Sequence, residues 1–215
     1  MAQQNAVKSI LEIRVEQAVL IAAELFLKRG IDNVKMTDVA EAGGIGVATL
    51  YRYFGTKTTL VLRVGAMLWQ DAHSLFAQVF NDDAYGAATG LQQIEQLLGV
   101  FRTLYCNHSD FLRFVHEFDS FVVNNKVEQE QLKEYEANVT DFYPIMARAY
   151  QKGCEDQTVE VQQNFHRIYC MWTHALMSMS QKFIMGDILS TDSTEENTAE
   201  IDLFIKMAMK FIAHK

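Results

Sequence analysis

The sequence predicts an all-α protein in which a small N-terminal three-helix domain precedes a larger helical body. Three observations carry this. A single Pro and 11 Gly in 215 residues leave few backbone interruptions. Apolar residues recur at spacings of three and four in segment after segment, and no stretch sustains the two-residue alternation of a half-buried strand. With 49% hydrophobic and 21% charged residues, the composition is that of an ordered globular protein, long enough to bury a sizeable core in one or two domains.

Val15, Val19, Ala22 and Phe26 lay an apolar stripe along a first helix, about residues 12–29, which Gly30 ends. A short second helix over 37–42 turns Val39 and Ala42 inward and stops at Gly43-Gly44, where positive φ costs little. After the tight turn Ile45-Gly46, a third helix over 47–54 presents Leu50 and Phe54 on one side and Val47, Thr49, Tyr51 and Arg52 on others. Gly55-Thr56 breaks it, and Thr56 is suited to cap a long fourth helix over 57–79 that connects the two halves. Further helices are expected over 90–107, 109–123, 126–153, 159–186 and 194–213. Pro144 lacks a donor and frees the Thr140 carbonyl, so a kink or break is expected in the third of these. The domain division is therefore 1–56 and 57–215.

A net charge of −8 argues at first sight against nucleic acid. The average hides an asymmetry: residues 1–65 hold eight Lys and Arg against six Asp and Glu, and the remainder holds 11 against 21. A mildly basic head on an acidic body is the pattern of a chain in which one module meets a polyanion. Three widely spaced cysteines, Cys106, Cys154 and Cys170, cannot complete a disulfide framework and fit a reducing compartment. The apolar run of six residues over 18–23 is too short for a signal-peptide core or a membrane span, so a cytoplasmic location is expected, with no membrane partner.

Two short helices joined by a Gly-bearing turn and braced by a longer one form a helix-turn-helix, the layout that places a recognition helix in a DNA major groove. The string AAELFLKRG at 22–30, followed by DVAEAGGIGVATLYRYFGTKTTL at 38–60, resembles the N-terminal domain of the TetR family of transcriptional regulators. Ala22, Leu25, Phe26 and Gly30 match its first-helix core and stop, Val39 and Ala40 its second helix, and Leu50, Tyr51, Phe54 and Lys57 its third helix and exit. The resemblance implies that Val47, Ala48, Thr49 and Arg52 face the groove, with Tyr51, Tyr53 and Lys57 at the phosphates. The chemistry suits those roles: Arg reads guanine O6 and N7 with two bonds, a phenol donates to phosphate oxygen, and Lys supplies a point charge. Three positions depart from the family pattern. Gly46 stands in place of a capping Ser, Ala48 in place of a common Gly, and Lys35 in place of the Ser or Thr that caps the second helix. Gly still caps, Ala favours helix, and Lys35 can exchange a capping bond for a phosphate contact, so Lys35, Thr37 and Gly46 join the DNA-binding set.

The expected body is a helical ligand-binding and dimerisation domain. The last helix is apolar almost all the way round, which calls for burial on two sides and hence a partner subunit. The resemblance likewise implies a homodimer built from the last two helices. The candidate interface is Phe165, Tyr169, Ile201, Phe204, Ile205, Ala208 and Ile212. Aromatic and Met side chains of the middle helices, Phe101, Tyr105, Phe114, Phe118, Phe142, Met146, Tyr150 and Trp172, are candidates to line an apolar ligand pocket, although any one of them is more simply read as ordinary core. His116, Glu117 and Asp119 are polar groups able to orient a ligand, or the solvated face of a helix.

His166, Cys170 and His174 share one helix face, but three successive turns spread over about 12 Å do not wrap a tetrahedral ion, so no metal is expected. No cofactor is implied. The function expected is ligand-responsive transcriptional regulation, most simply repression relieved when an apolar effector releases the protein from a palindromic DNA operator. The alternative is a helical-bundle small-molecule-binding protein or enzyme with no DNA role; no nucleophile–base spacing or phosphate loop supports an enzyme.

Overall fold

The computed structural model describes residues 2–80, 83–137, 139, 142–186 and 196–214, with side chains of 2–9, 74–76, 78–79 and 134 outside the description. Among the described residues the chain is all-α. Its helices are α1 (Ala2–Arg29), α2 (Met36–Ala42), α3 (Val47–Phe54), α4 (Lys57–Phe80), α5 (Asp83–Ala87), α6 (Gly90–Asn107), α7 (Ser109–Asn124), α8 (Gln129–Glu136), α9 (Tyr143–Glu155), α10 (Phe165–Ile184) and α11 (Asn197–Ile212). The only extended pairing among them is one antiparallel bridge between Val159 and Ala213. No described helix is long and apolar enough to cross a membrane.

The chain divides into two compact units, Met1–Ala72 with Arg113–Thr140, and His73–Leu112 with Asp141–Lys215. In the first, the α1 stripe Ala18, Val19, Ala22 and Phe26 meets Ile31, Val34, Val39, Ala40, Leu50 and Phe54 in one core. Leu60, Val61 and Val64 of α4 and Phe114, Phe118 and Phe121 of α7 complete it. Each large side chain so enclosed contributes about 1.5–3 kcal/mol relative to exposure. α1 stops at Gly30, whose φ of +82° favours glycine and whose N–H donates to the Phe26 carbonyl at 2.8 Å. α8 lays Tyr135 against Gly65 and stacks it on Phe118, ring centroids 4.2 Å apart. The Tyr135 hydroxyl accepts from Trp69 Nε1 at 2.9 Å.

In the second unit, α6 packs against α9, α10 and α11 around Ile94, Leu98, Trp172, Leu176, Ile201 and Ile212. Gly90 and Gly153 let α6 and α9 touch backbone to backbone: a Cβ on Gly90 would lie 2.0 Å from the Gly153 nitrogen. The start of α6 is capped three ways. Thr89 Oγ1 accepts from the Gln92 N–H, Asp156 Oδ2 from Gly90 at 2.8 Å and Thr158 Oγ1 from Leu91 at 3.2 Å.

Most expected elements form, with instructive differences. α1 begins at Ala2, ten residues ahead of the expected start. The long helix expected over 126–153 is two helices, α8 and α9, and the break falls before Pro144. Pro144 sits in the first turn of α9, where its missing N–H has no intrahelical partner to lose. The expected helix over 159–186 starts only at Phe165, because Val159 is held in the bridge to Ala213 and Gln162 in a loop that donates to Tyr150 Oη. α5 was unexpected, and the stretch over 187–195 lies outside the described residues.

Candidate nucleic-acid interface

α3 is eight residues long and strongly two-faced. Leu50 and Phe54, four apart, are 0% and 4% exposed in the core of the first unit. Val47, Ala48, Tyr51 and Arg52 lie on the opposite face and are exposed; Thr49 and Tyr53 are half-buried at its margins. The Arg52 guanidinium carbon rests 5.8 Å from the Tyr53 ring centroid, a cation–π contact that holds the charge near the surface. Gly46 caps the helix by backbone geometry, and no side chain hydrogen-bonds the first amide N–H groups. The turn into α3 is made by Gly43 and Gly44, the latter at φ +60° with open space around it.

Lys35 and Thr37 are exposed at the start of α2. The cap that Lys35 cannot supply comes from the other direction: Asp38 Oδ2 accepts the Lys35 backbone N–H at 2.8 Å. The Lys35 ammonium is thereby left for solvent or phosphate. Lys57 is placed differently from the expectation. Its Nζ donates to the Ile31 carbonyl at 2.6 Å and lies 6.0 Å from the Phe121 ring centroid. Burial pushes the ammonium below its ordinary pKa, while Asp32 and Asp38 hold it up. Glu117, weighed in the sequence as a ligand-orienting group, instead accepts the Ile31 N–H through Oε2 at 2.7 Å.

A short two-helix unit whose second helix buries one face and offers Arg and Tyr on the other belongs to the helix-turn-helix class of nucleic-acid-binding folds. Residues 21–64 match the family model of the bacterial regulatory proteins of the tetR family. This segment is therefore similar to the DNA-binding part of the tetR-family regulators. A curated HTH-type transcriptional regulator of Staphylococcus aureus is 45% identical over 47 residues, 21% of this chain; the matched stretch spans only 25% of that relative's length. Solved structures share the fold along nearly the whole chain. A transcriptional regulator of Saccharomonospora viridis, solved with choline, is 16% identical with a TM-score of 0.70, covering 95% of this chain and 99% of its own. A TetR-family regulator of Rhodococcus is 15% identical with a TM-score of 0.68, covering 91% and 98%.

The second unit holds a cavity of about 380 Å³ lined by Phe80, Tyr85, Phe142, Ile145 and Ala149, with Ala77, His73, Gln93 and Arg148. Of the residues singled out in the sequence for a ligand pocket, Phe142 lines it. Met146 and Trp172 are core of this unit, and Phe101, Tyr105 and Tyr150 pack against that core, with Tyr105 Oη accepting from Asn197 and Tyr150 Oη held by the Gln162 backbone. Phe114 and Phe118 belong to the core of the first unit, and His116 and Asp119 are exposed on α7. Tyr85 and Arg148 escaped the sequence reading because Tyr85 lies in a one-turn helix with no periodicity to mark it, and Arg148 is one charge among many on an amphipathic helix.

The expected dimer surface also needs correction. Phe165, Ile201, Ile205, Ala208 and Ile212 are buried inside their own chain, and Tyr169 and Phe204 are half-buried against the same core. The other side of α11 is the open one: Leu203, Met207 and Phe211 are 57%, 62% and 58% exposed. On α10, Met171 is exposed as well. The Cys170 thiol lies 3.8 Å from His166 Nδ1, while His174 is exposed, and no cluster of three metal-ligating side chains occurs among the described residues.

Proposed function

We propose that this protein is a DNA-binding transcriptional regulator, most simply a repressor, that acts as a homodimer on a palindromic operator and leaves it on binding a small, largely apolar effector. The observation that supports the reading is the outward face of α3, where Val47, Ala48, Tyr51 and Arg52 are exposed within the segment similar to the TetR family; in this reading Val47, Ala48, Thr49 and Arg52 meet base edges and Tyr51 and Tyr53 the phosphates. Gly46 and the α2 start, Lys35 and Thr37, add phosphate anchoring. Two copies joined through the exposed α10 and α11 face would present two such helices to half-sites about 34 Å apart. The effector reading is supported by the cavity of the second unit and by the relative solved with choline. The effector acts as a population shift, to the extent that it binds the DNA-incompetent arrangement more tightly. We place its work in the cytoplasm, on the functional division of a DNA-binding head, 1–56, from an effector and dimer body, 57–215.

Selection from random duplexes tests the reading. Recovery of one short palindrome, with half-sites a helical turn apart, is the expected result. Enrichment of no sequence over the starting pool would overturn it.

A further inference from the structure

We infer that the cavity of the second unit selects a small organic carboxylate with an apolar or aromatic body, its head held by Arg148 and the Tyr85 hydroxyl. The inference rests on the proposed regulator only for the consequence of binding; the site itself is read from its lining. Phe80 meets Phe142 edge-on at 6.4 Å and Tyr85 at 5.6 Å between ring centroids, and Ile145 and Ala149 continue an apolar wall. Such a wall accepts a ring or short chain without regard to its head group. The charge is decided elsewhere. Arg148 and His73 are the basic side chains at the cavity, and no carboxylate lines it among the described residues. Nor does any described carboxylate pair with Arg148.

A guanidinium offers a carboxylate two parallel N–H bonds, a geometry that an amide or ammonium head cannot match. Burial raises the Tyr85 phenol above its ordinary pKa, with Arg148 pulling it back, so the hydroxyl keeps its proton and can donate. Tyr85 is also braced: Gln93, almost fully buried, donates its amide to the Tyr85 carbonyl at 2.8 Å. Aromatic walls alone would suit a quaternary ammonium, but a cation here would sit against Arg148. A volume of about 380 Å³ lies near the lower end of the usual range for ligand pockets, about 300–1,000 Å³, which fits one or two rings or a short acyl chain.

Calorimetric titration of the full-length protein with phenylacetate, 3-phenylpropanoate, 1-naphthoate, hexanoate and octanoate, each beside the amide and amine of the same body, tests this. At least one carboxylate should saturate and bind ten-fold or more tighter than its amide and amine. R148Q should erase that preference and R148K should restore part of it, while I145W, which fills the cavity, should weaken all heads together. An amide or amine that binds as well as its carboxylate, a preference that survives R148Q, or a series in which no carboxylate binds would each overturn the inference. DNA binding measured in parallel separates the two readings: saturable carboxylate binding by a protein that selects no duplex leaves the anion site standing and removes the regulator.

Discussion

Ile31 ties the head together through both of its backbone polar groups. Glu117 Oε2 accepts its N–H and Lys57 Nζ donates to its carbonyl, so helices far along the chain fix the loop that positions α2. K57M should therefore lower the melting temperature, at a cost of about 1–2 kcal/mol, while leaving the salt dependence of DNA binding unchanged. A salt slope reduced by about one, with stability intact, would instead return Lys57 to the phosphates. R52A should behave in the opposite way: a loss of about 1–3 kcal/mol in operator affinity with the melting temperature preserved, read by titration and calorimetry on one sample. At this scale the α3 faces were legible, because four-residue spacing alone separates Leu50 and Phe54 from Tyr51 and Arg52. The Ile31 bonds were not, since Glu117 lies 86 residues away and only the fold brings it near.

Helices place these residues, and α8 shows how tightly. A Cβ on Gly65 would lie 2.9 Å from the Tyr135 ring and 3.1 Å from Phe118, so G65A should cost about 1–3 kcal/mol by overpacking, measured by denaturant unfolding. Burial, reinforced by Asp119 and opposed by the Trp69 hydrogen bond, pushes the Tyr135 phenol from 10.0 to about 12. Between those pH values the unfolded chain has released a proton that the folded chain keeps. The stabilisation is thus complete below pH 10 and is lost as pH rises toward 12. Y135F should flatten the alkaline fall of melting temperature over that window, despite about 1 kcal/mol lost at neutral pH with the Trp69 bond.

α11 makes the complementary point about outward faces. M207E with F211E should yield monomers by sedimentation while the buried row Ile201, Ile205 and Ile212 keeps each chain folded. An unchanged dimer would exclude this face. That α11 is apolar all round was plain from the sequence; which face its own chain covers depends on where α6 and α10 lie, information no periodicity contains. α6 forms over its expected bounds, and Pro144 signalled the break in the helix expected over 126–153, though not that two separate helices, α8 and α9, would flank it.

Across the whole molecule, charge and fold divide the labour. Residues 1–65 carry eight Lys and Arg against six Asp and Glu, while the remainder carries 11 against 21, so the excess negative charge lies outside the N-terminal segment. α4 and α7 each belong in part to both compact units. The candidate DNA face was readable because its chemistry lies in one contiguous segment. The candidate effector site was not, because His73, Tyr85, Gln93 and Arg148 come from four helices and converge only in the fold.

In the proposed function the exposed face of α3 binds specific DNA. The most direct test is titration of the purified protein against the DNA flanking its own coding sequence and against a scrambled duplex, across a salt series with excess competitor. Saturable binding to one short palindrome is expected, with an affinity that falls linearly in log–log form as salt rises and that Y51A and R52A both weaken. Equal affinity for flanking and scrambled DNA, or binding untouched by both substitutions, would contradict it.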